Sequence, residues 1–263
     1  MSEGPAATPP VSLAIAGRIA EIGLCAPPLN LVTRPLLRGL EAALRRVAAA
    51  KGVRCVILHG GAARAFCAGS DIREFAHLRE TAAEEKILYE DHVLRALARL
   101  PMPTIAALDG PALGGGLELA LACDLRVARA GISLGLTESR IGGLAANGSL
   151  RLARLAGPGR AKELLFTGAT LDADTALGWG VVNRVAREAS ALETARALAA
   201  EIAERGPLSN RLAKQLVDRA FDEPMEAALG ASVVAQQAIF DSDDLREGMR
   251  AFFDKRPPNF GDD

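Results

Sequence analysis

TIAALDGPALGGGLELALACDLRV, residues 104–127, is the stretch whose reading decides the fold. It opens with a short, largely apolar run, 104–108, that begins on β-branched residues, which predicts a buried strand. Asp109, Gly110 and Pro111 break that run. Gly114, Gly115 and Gly116 follow, and then an apolar segment over 117–123 interrupted only by Glu118. A lone carboxylate in such a run is costly if it is buried without a partner. The glycines let another group approach the backbone and leave amide N–H groups free to point at it. A helix starting here also aims its unpaired first amides and its positive dipole end at the same spot. Free amides beside a carboxylate in apolar surroundings suit an oxyanion site next to a general acid or base. The bland alternative is a glycine-rich helix entry with Glu118 facing water.

Upstream, residues 11–16 and 18–25 are strand-like runs split by Gly17, a hairpin pattern. Leu36, Leu37, Leu40, Ala43 and Leu44 recur at helical spacing within 31–50, with arginines between them, which predicts an amphipathic helix. A strand is expected over 53–58. The segment AFCAGSDIREF, residues 65–75, is a loop of small residues leading to a helix start at Ser70 or Asp71. Its amides suit an anionic oxygen, and an N-cap by Ser70 or Asp71 explains the same residues. A long charged helix is expected over 80–100, with Ile87, Leu88, Leu94 and Leu97 inward. Downstream, a short strand over 132–136 runs into Glu138, which by itself reads as a first-turn carboxylate behind a Thr137 cap. Gly142, Gly143 and Gly148 mark a loop. Helices follow over 150–155, 160–166 and 173–178, a strand over 181–185, and then helices over 189–205, 208–221, 225–240 and 243–253. Strand-plus-helix units fill the first part and helices alone the last, so the chain divides into a tail (1–10), an α/β core (11–200) and a helical region (201–263).

Composition narrows the function classes. A 263-residue chain with 49% hydrophobic and 24% charged residues is ordinary globular material with a sizeable core. A net charge of −1 and a pI near 6.4 give no electrostatic case for nucleic acid or an anionic membrane. No apolar segment approaches the length of a membrane span. The start, MSEGPAATPP, lacks the basic and apolar regions of a signal peptide. Cys25, Cys55, Cys67 and Cys123 form no CxxC pair, and read as small hydrophobes in a reducing, cytoplasmic setting. His59, His77 and His92 have no ligand spacing, so no metal is expected.

Four motifs in order, residues 65–75, 105–128, LGLTESRIG (134–142) and EGMRAFFDKRPPNF (247–260), resemble the crotonase, or enoyl-CoA hydratase/isomerase, superfamily. The resemblance spans nearly the whole chain. It implies an α/β fold of ββα turns wound as a spiral, with a helical C-terminal trimerisation region, and a homotrimer or a hexamer built as a dimer of trimers. It implies an acyl-CoA thioester substrate, so coenzyme A enters as part of the substrate and no separate cofactor is expected. The family's oxyanion amides fall on Ser70 and Gly115, and the paired glutamates of its hydratases on Glu118 and Glu138. Its CoA contacts fall on Leu29, Ala68, Asp71, Ile72, Phe252 and Lys255, the last two often reaching a neighbouring subunit.

Water adding at C3 of an α,β-unsaturated thioester builds enolate charge on the thioester oxygen. Rigid main-chain donors stabilise it, and one carboxylate handles the water while a proton reaches C2. The expectation is therefore a trans-2-enoyl-CoA hydratase, with Glu118 on the water and Glu138 on C2. A Δ3,Δ2-enoyl-CoA isomerase needs only one of the glutamates. A non-catalytic acyl-CoA-binding module is a further alternative. A serine hydrolase built on Ser70 with His77 or His92 lacks the G-x-S-x-G elbow, and the glycines do not form the G-x-G-x-x-G of a dinucleotide site. The chain departs from the family pattern in Thr137, where hydratases usually carry proline. The loop over 144–149 is one residue shorter than the family's pattern, and Pro27-Pro28 replace an early basic residue that Arg34 or Arg73 would have to make good.

Overall fold

The computed structural model of the protein describes residues 9–75, 78 and 80–261. Most of the expected tail lies outside them. β1 (Val11–Ala16) and β2 (Ile19–Leu24) form the predicted hairpin. α1 (Arg34–Ala49) begins later than expected, because Val32 is drawn into an extended bridge with Ser70 and the Thr33 hydroxyl accepts from the Leu36 amide, 3.4 Å away. β3 (Cys55–His59) and the single turn α2 (Ile72–Phe75) follow.

The long helix expected over 80–100 is a π-turn, Ala83–Ile87, running into α3 (Leu88–Ala98). The wide turn rotates the preceding residues out of register with the rest. Ile87 and Leu88, expected inward, are exposed, and Lys86 is buried instead. Val93, Leu94 and Leu97 carry the packing.

The deciding stretch folds as β4 (Thr104–Leu108), β5 (Ala112–Leu113), α4 (Gly115–Ala122) and β6 (Leu125–Arg129). Next come β7 (Ser133–Gly135) and a 3-10 turn, Glu138–Ile141, whose Thr137 makes no side-chain cap. α5 (Ala146–Ala156) starts earlier than predicted, so Gly148 lies inside a helix. α6 (Pro158–Thr167), β8 (Leu171–Asp172) and α7 (Ala173–Gly178) follow. The strand expected over 181–185 is displaced to β9 (Arg184–Ala186), because the amides of Val181 and Val182 turn back to the Ala176 carbonyl. α8 (Ala191–Ala203), α9 (Pro207–Asp222), α10 (Met225–Asp241) and α11 (Asp243–Phe253) complete the chain.

The large sheet runs β1-β2-β3-β4-β6-β9, parallel after the first hairpin, and a small sheet runs β5-β7-β8. Single bridges, Cys67 to Ala112 and Val32 to Ser70, extend the small layer. Each turn of the chain thus gives one strand to the large sheet and one extended segment to the small layer, then a helix. The parallel strands are buried on both faces, which is why they read as unbroken apolar runs. Cys55, Ile57, Ile105, Ala107 and Val127 face α8. Their alternates, such as Val56, Leu58 and Leu108, join the main core.

Polar residues fasten the layers where backbone groups would be left unpaired. Asp109 accepts from the amides of Ala191 (2.7 Å) and Leu192 (3.1 Å), seating α8 on the sheet. Arg126, fully enclosed, donates to the carbonyls of Cys123 (2.7 Å) and Val181 (2.6 Å), closing the C-terminal end of α4. Lys214 on α9 reaches Asp124 at 2.8 Å, and Asp124 also accepts from the Thr104 amide.

α4 can start where it does only because Gly116 has no side chain, since a Cβ there would sit 2.0 Å from the Cys67 carbonyl oxygen. Gly116→Ala is expected to lower unfolding free energy by roughly 3 kcal/mol. Gly159→Ala on α6, where a Cβ meets nothing within 4 Å, is expected to change it by less than about 1 kcal/mol. Denaturant titration of both variants checks the pair.

Candidate active site

The site forms where the loop over 67–70 lies against the entry of α4. Cys67 bridges Ala112, and its carbonyl accepts from Leu113 at 3.1 Å. On the other side, Val32 donates to Gly69 (2.9 Å) and accepts from Asp71 (3.3 Å). In a parallel bridge of that kind the central residue's own amide faces away from its partner, so the Ser70 N–H points away from Val32, to the side where α4 begins. A Cβ on Gly115 would lie 3.7 Å from the Ser70 nitrogen, and one on Gly69 3.8 Å from the Gly115 nitrogen. Gly115 is the first residue of α4, where an amide has no intrahelical acceptor. Among the described residues, neither the Ser70 nor the Gly115 amide finds a hydrogen-bond acceptor. Gly69 (φ +102°) and Gly114 (φ +52°) hold backbone angles that suit glycine.

Two carboxylates converge on this spot. Glu118 projects from the first turn of α4, and its Oε1 accepts from the Gly148 amide at 2.7 Å. Burial pushes its carboxyl up to about 7, and the Glu138 and Glu90 charges add to the rise, while the Gly148 and Asn147 amides oppose it. Glu138 sits at the start of the 3-10 turn. Its Oε1 lies 2.9 Å from the point a Gly114 Cβ would occupy, so the glycine makes room for the carboxylate. Its Oε2 is buried with no hydrogen-bond partner among the described residues, and burial raises its pKa. A buried, unpaired oxygen in the same region as two acceptor-free amides is what a site awaiting a polar ligand would show.

The remaining expected residues distribute unevenly. The Leu29 carbonyl accepts from the Ala68 amide at 3.0 Å, which puts both beside the loop, and Ile72 is exposed next to it. Asp71 and Arg73 pair at 2.7 Å, which lowers the Asp71 pKa. Arg34 donates to the Glu85 carbonyl (3.1 Å) and lies over the Tyr89 ring. Phe252 and Lys255 lie on α11 and just beyond it. Phe252 is exposed, and no hydrogen bond, ion pair or ring contact among the described residues joins either to the glutamates. The Ser70 hydroxyl makes a long contact to Glu90 (3.5 Å), and His92 pairs with Glu41 (3.2 Å). No described histidine serves Ser70, and His77 lies outside the described residues. Among the described residues no cluster suits a metal, and no helix is long and apolar enough to cross a membrane.

The profile of the enoyl-CoA hydratase/isomerase family matches residues 14–263. The chain belongs to that family. A methylglutaconyl-CoA hydratase of Mus musculus is 34% identical, over 88% of this chain and 75% of its own. An enoyl-CoA isomerase/hydratase of Mycosarcoma maydis is 38% identical, over 74% of this chain and 72% of its own. The crystal structure of an enoyl-CoA hydratase from Bacillus anthracis superposes with a TM-score of 0.92 at 35% identity, covering 97% of this chain and 100% of that one. The crotonase-like α/β fold with a helical C-terminal region is thereby established for this member of the family.

Sequence reading missed three participants. Gly148 was expected to mark a loop, and its amide is a ligand of Glu118. Asn147 beside it carries no signal in the sequence beyond its place in the altered loop. Glu90 belongs to no motif, although the spacing of Lys86 and Glu90, which pair at 2.8 Å, marks an i,i+4 couple.

Glu118 makes folding pH-dependent. A carboxyl raised from 4.5 to about 7 binds its proton more tightly folded than unfolded, so its contribution is full below 4.5 and is lost as pH rises through 7. Glu118→Gln, which keeps an acceptor for Gly148, is therefore expected to be more stable than the parent above neutral pH. The gain should be roughly 3 kcal/mol. The gap should close by pH 4.5. Denaturant midpoints across that pH range check both sign and window.

Proposed function

We propose that this family member is a hydratase that adds water across the double bond of a trans-2-enoyl-CoA. The observation that carries the reading is the meeting of two half-buried carboxylates, Glu118 and Glu138, beside the acceptor-free amides of Ser70 and Gly115. The thioester oxygen docks on the two amides. Glu118 takes a proton from water as the water oxygen bonds to C3, and the π electrons shift onto the thioester oxygen as an enolate. The enolate collapses by taking a proton at C2 from Glu138. The amides act where charge develops, which is where fixed donors lower the barrier most. One proton must reside on the carboxylate pair at the start of each cycle, so kcat/KM should be bell-shaped in pH, and its limbs belong to the coupled pair.

Leu29, Ala68, Asp71 and Ile72 are proposed to receive the CoA portion, with Phe252 and Lys255 supplied across a subunit boundary in a homotrimer or a hexamer. Exposed apolar side chains along α9, α10 and α11, including Phe221, Val233, Phe240 and Phe253, fit burial against further copies of the chain. Coenzyme A is carried by the substrate, and the chemistry calls for no other cofactor. The four free cysteines fit a reducing cytoplasm.

Hydration needs both glutamates, and shifting a double bond needs one. Glu118→Gln and Glu138→Gln are each expected to lower kcat for hydration by roughly 10²- to 10⁴-fold, followed as loss of the conjugated enoyl-CoA chromophore. Ser70→Pro, which deletes one amide, should cost about 10²- to 10³-fold. Full hydration in either glutamate variant would overturn the two-glutamate mechanism, and a parent protein that shifts Δ3 to Δ2 double bonds without hydrating, with that activity lost in only one variant, would replace the hydratase reading.

A further inference from the structure

We propose that Asn147 is a positioning residue, which ties the first turn of α5 to α3 through Asp91 so that the helix amides hold the Glu118 carboxylate. α5 has no side-chain cap of its own, since Ala145 stands at the cap position. Its open amides need an acceptor, and Glu118 from α4 supplies one at 2.7 Å to Gly148. The Asn147 side chain sits beside this bond and makes two contacts. Its Nδ2 donates to Asp91 Oδ1 on α3 at 2.9 Å, and its Oδ1 accepts from Arg151 Nε, one turn further along α5, at 2.6 Å. Asp91 is in turn held by Arg95 at 2.6 Å.

Three helices therefore meet at the glutamate. α4 carries it, α5 holds it through main-chain donors, and α3 fixes α5 by way of the asparagine. The approach is tight. A Cβ on Gly148 would lie 3.1 Å from Glu118 Cγ and 2.8 Å from Leu136, so small slippage of α5 alters the Glu118 bond directly. Asn147 itself touches no reacting atom.

The groups that face Glu118 are Glu138 from the 3-10 turn, Glu90 from α3 and Arg151 from α5. Amide donors favour its charged form, so freeing α5 raises the Glu118 pKa. Asp91, considered only as a nearby negative charge, works the other way, since deleting it lowers that pKa. The sign of the shift therefore separates positioning from simple electrostatics.

The inference rests on Glu118 being a working carboxylate, as proposed above, and its test needs no substrate. Glutamate carboxyls carrying a 13C label are titrated by NMR in the full chain, with Glu118 assigned by the signal absent in Glu118→Gln. Asn147→Ala and Asp91→Ala are each expected to move the Glu118 midpoint upward by about one unit. The double variant should move it no further than either single, because both cut one connection. The acidic limb of kcat/KM should follow in the same direction with KM little changed. An unmoved midpoint in Asn147→Ala, or a downward shift in Asp91→Ala, overturns the proposal. If the parent protein hydrates no enoyl-CoA, the hydratase reading fails and the NMR shifts still decide this one.

Discussion

The structure depends on one close backbone contact, the carbonyl of Cys67 lying where a Gly116 side chain would be. That approach presses the loop over 67–70 against the start of α4. Two unpaired amides, those of Ser70 and Gly115, from segments distant in sequence become neighbours as a result. The rest of the core can be described by how it holds this contact. Val32 and Ala112 bridge the loop on either side, and Asp109 fastens the following turn to α8. Arg126 closes the far end of α4 from inside the protein. Backbone pairing sets the amides, so their placement is insensitive to side-chain rotamers and cannot be titrated away.

Charge in the site is arranged with similar economy. Glu118 and Glu138 are both raised by burial, and Glu138 adds to the rise of Glu118. Main-chain donors from α5 partly offset this for Glu118, its own amide does so for Glu138, and Glu138 Oε2 finds no partner among the described residues. The two groups therefore differ in environment while sharing one region, the condition under which one carboxyl can accept a proton as the other gives one.

Misplaced elements share a physical cause. Ile87 and Leu88 fit the inward face of a regular helix, and the π-turn over 83–87 put Lys86 there instead. The strand expected near Val181 lost its first residues to a turn that folds back on Ala176. Gly148 looked like loop punctuation, and packing against Leu136 and Glu118 explains a glycine within α5. In each case local pattern was overridden by a contact from elsewhere in the chain.

The sequence alone determined most of the strands of the large sheet, the amphipathic helices and the glycine-rich entry to α4, because burial on fixed periods and open φ angles leave direct marks in residue type. It also marked Ser70, Gly115, Glu118 and Glu138, through motifs whose order and spacing point to one family. Only the tertiary structure decided that Ser70 and Gly115 lie side by side with no acceptor. It likewise decided that Glu118 caps α5 and that Asn147 reaches across to Asp91. Those facts are relations between segments that contact only after folding, and a hydrogen bond between residues 56 positions apart leaves no periodic trace along the chain.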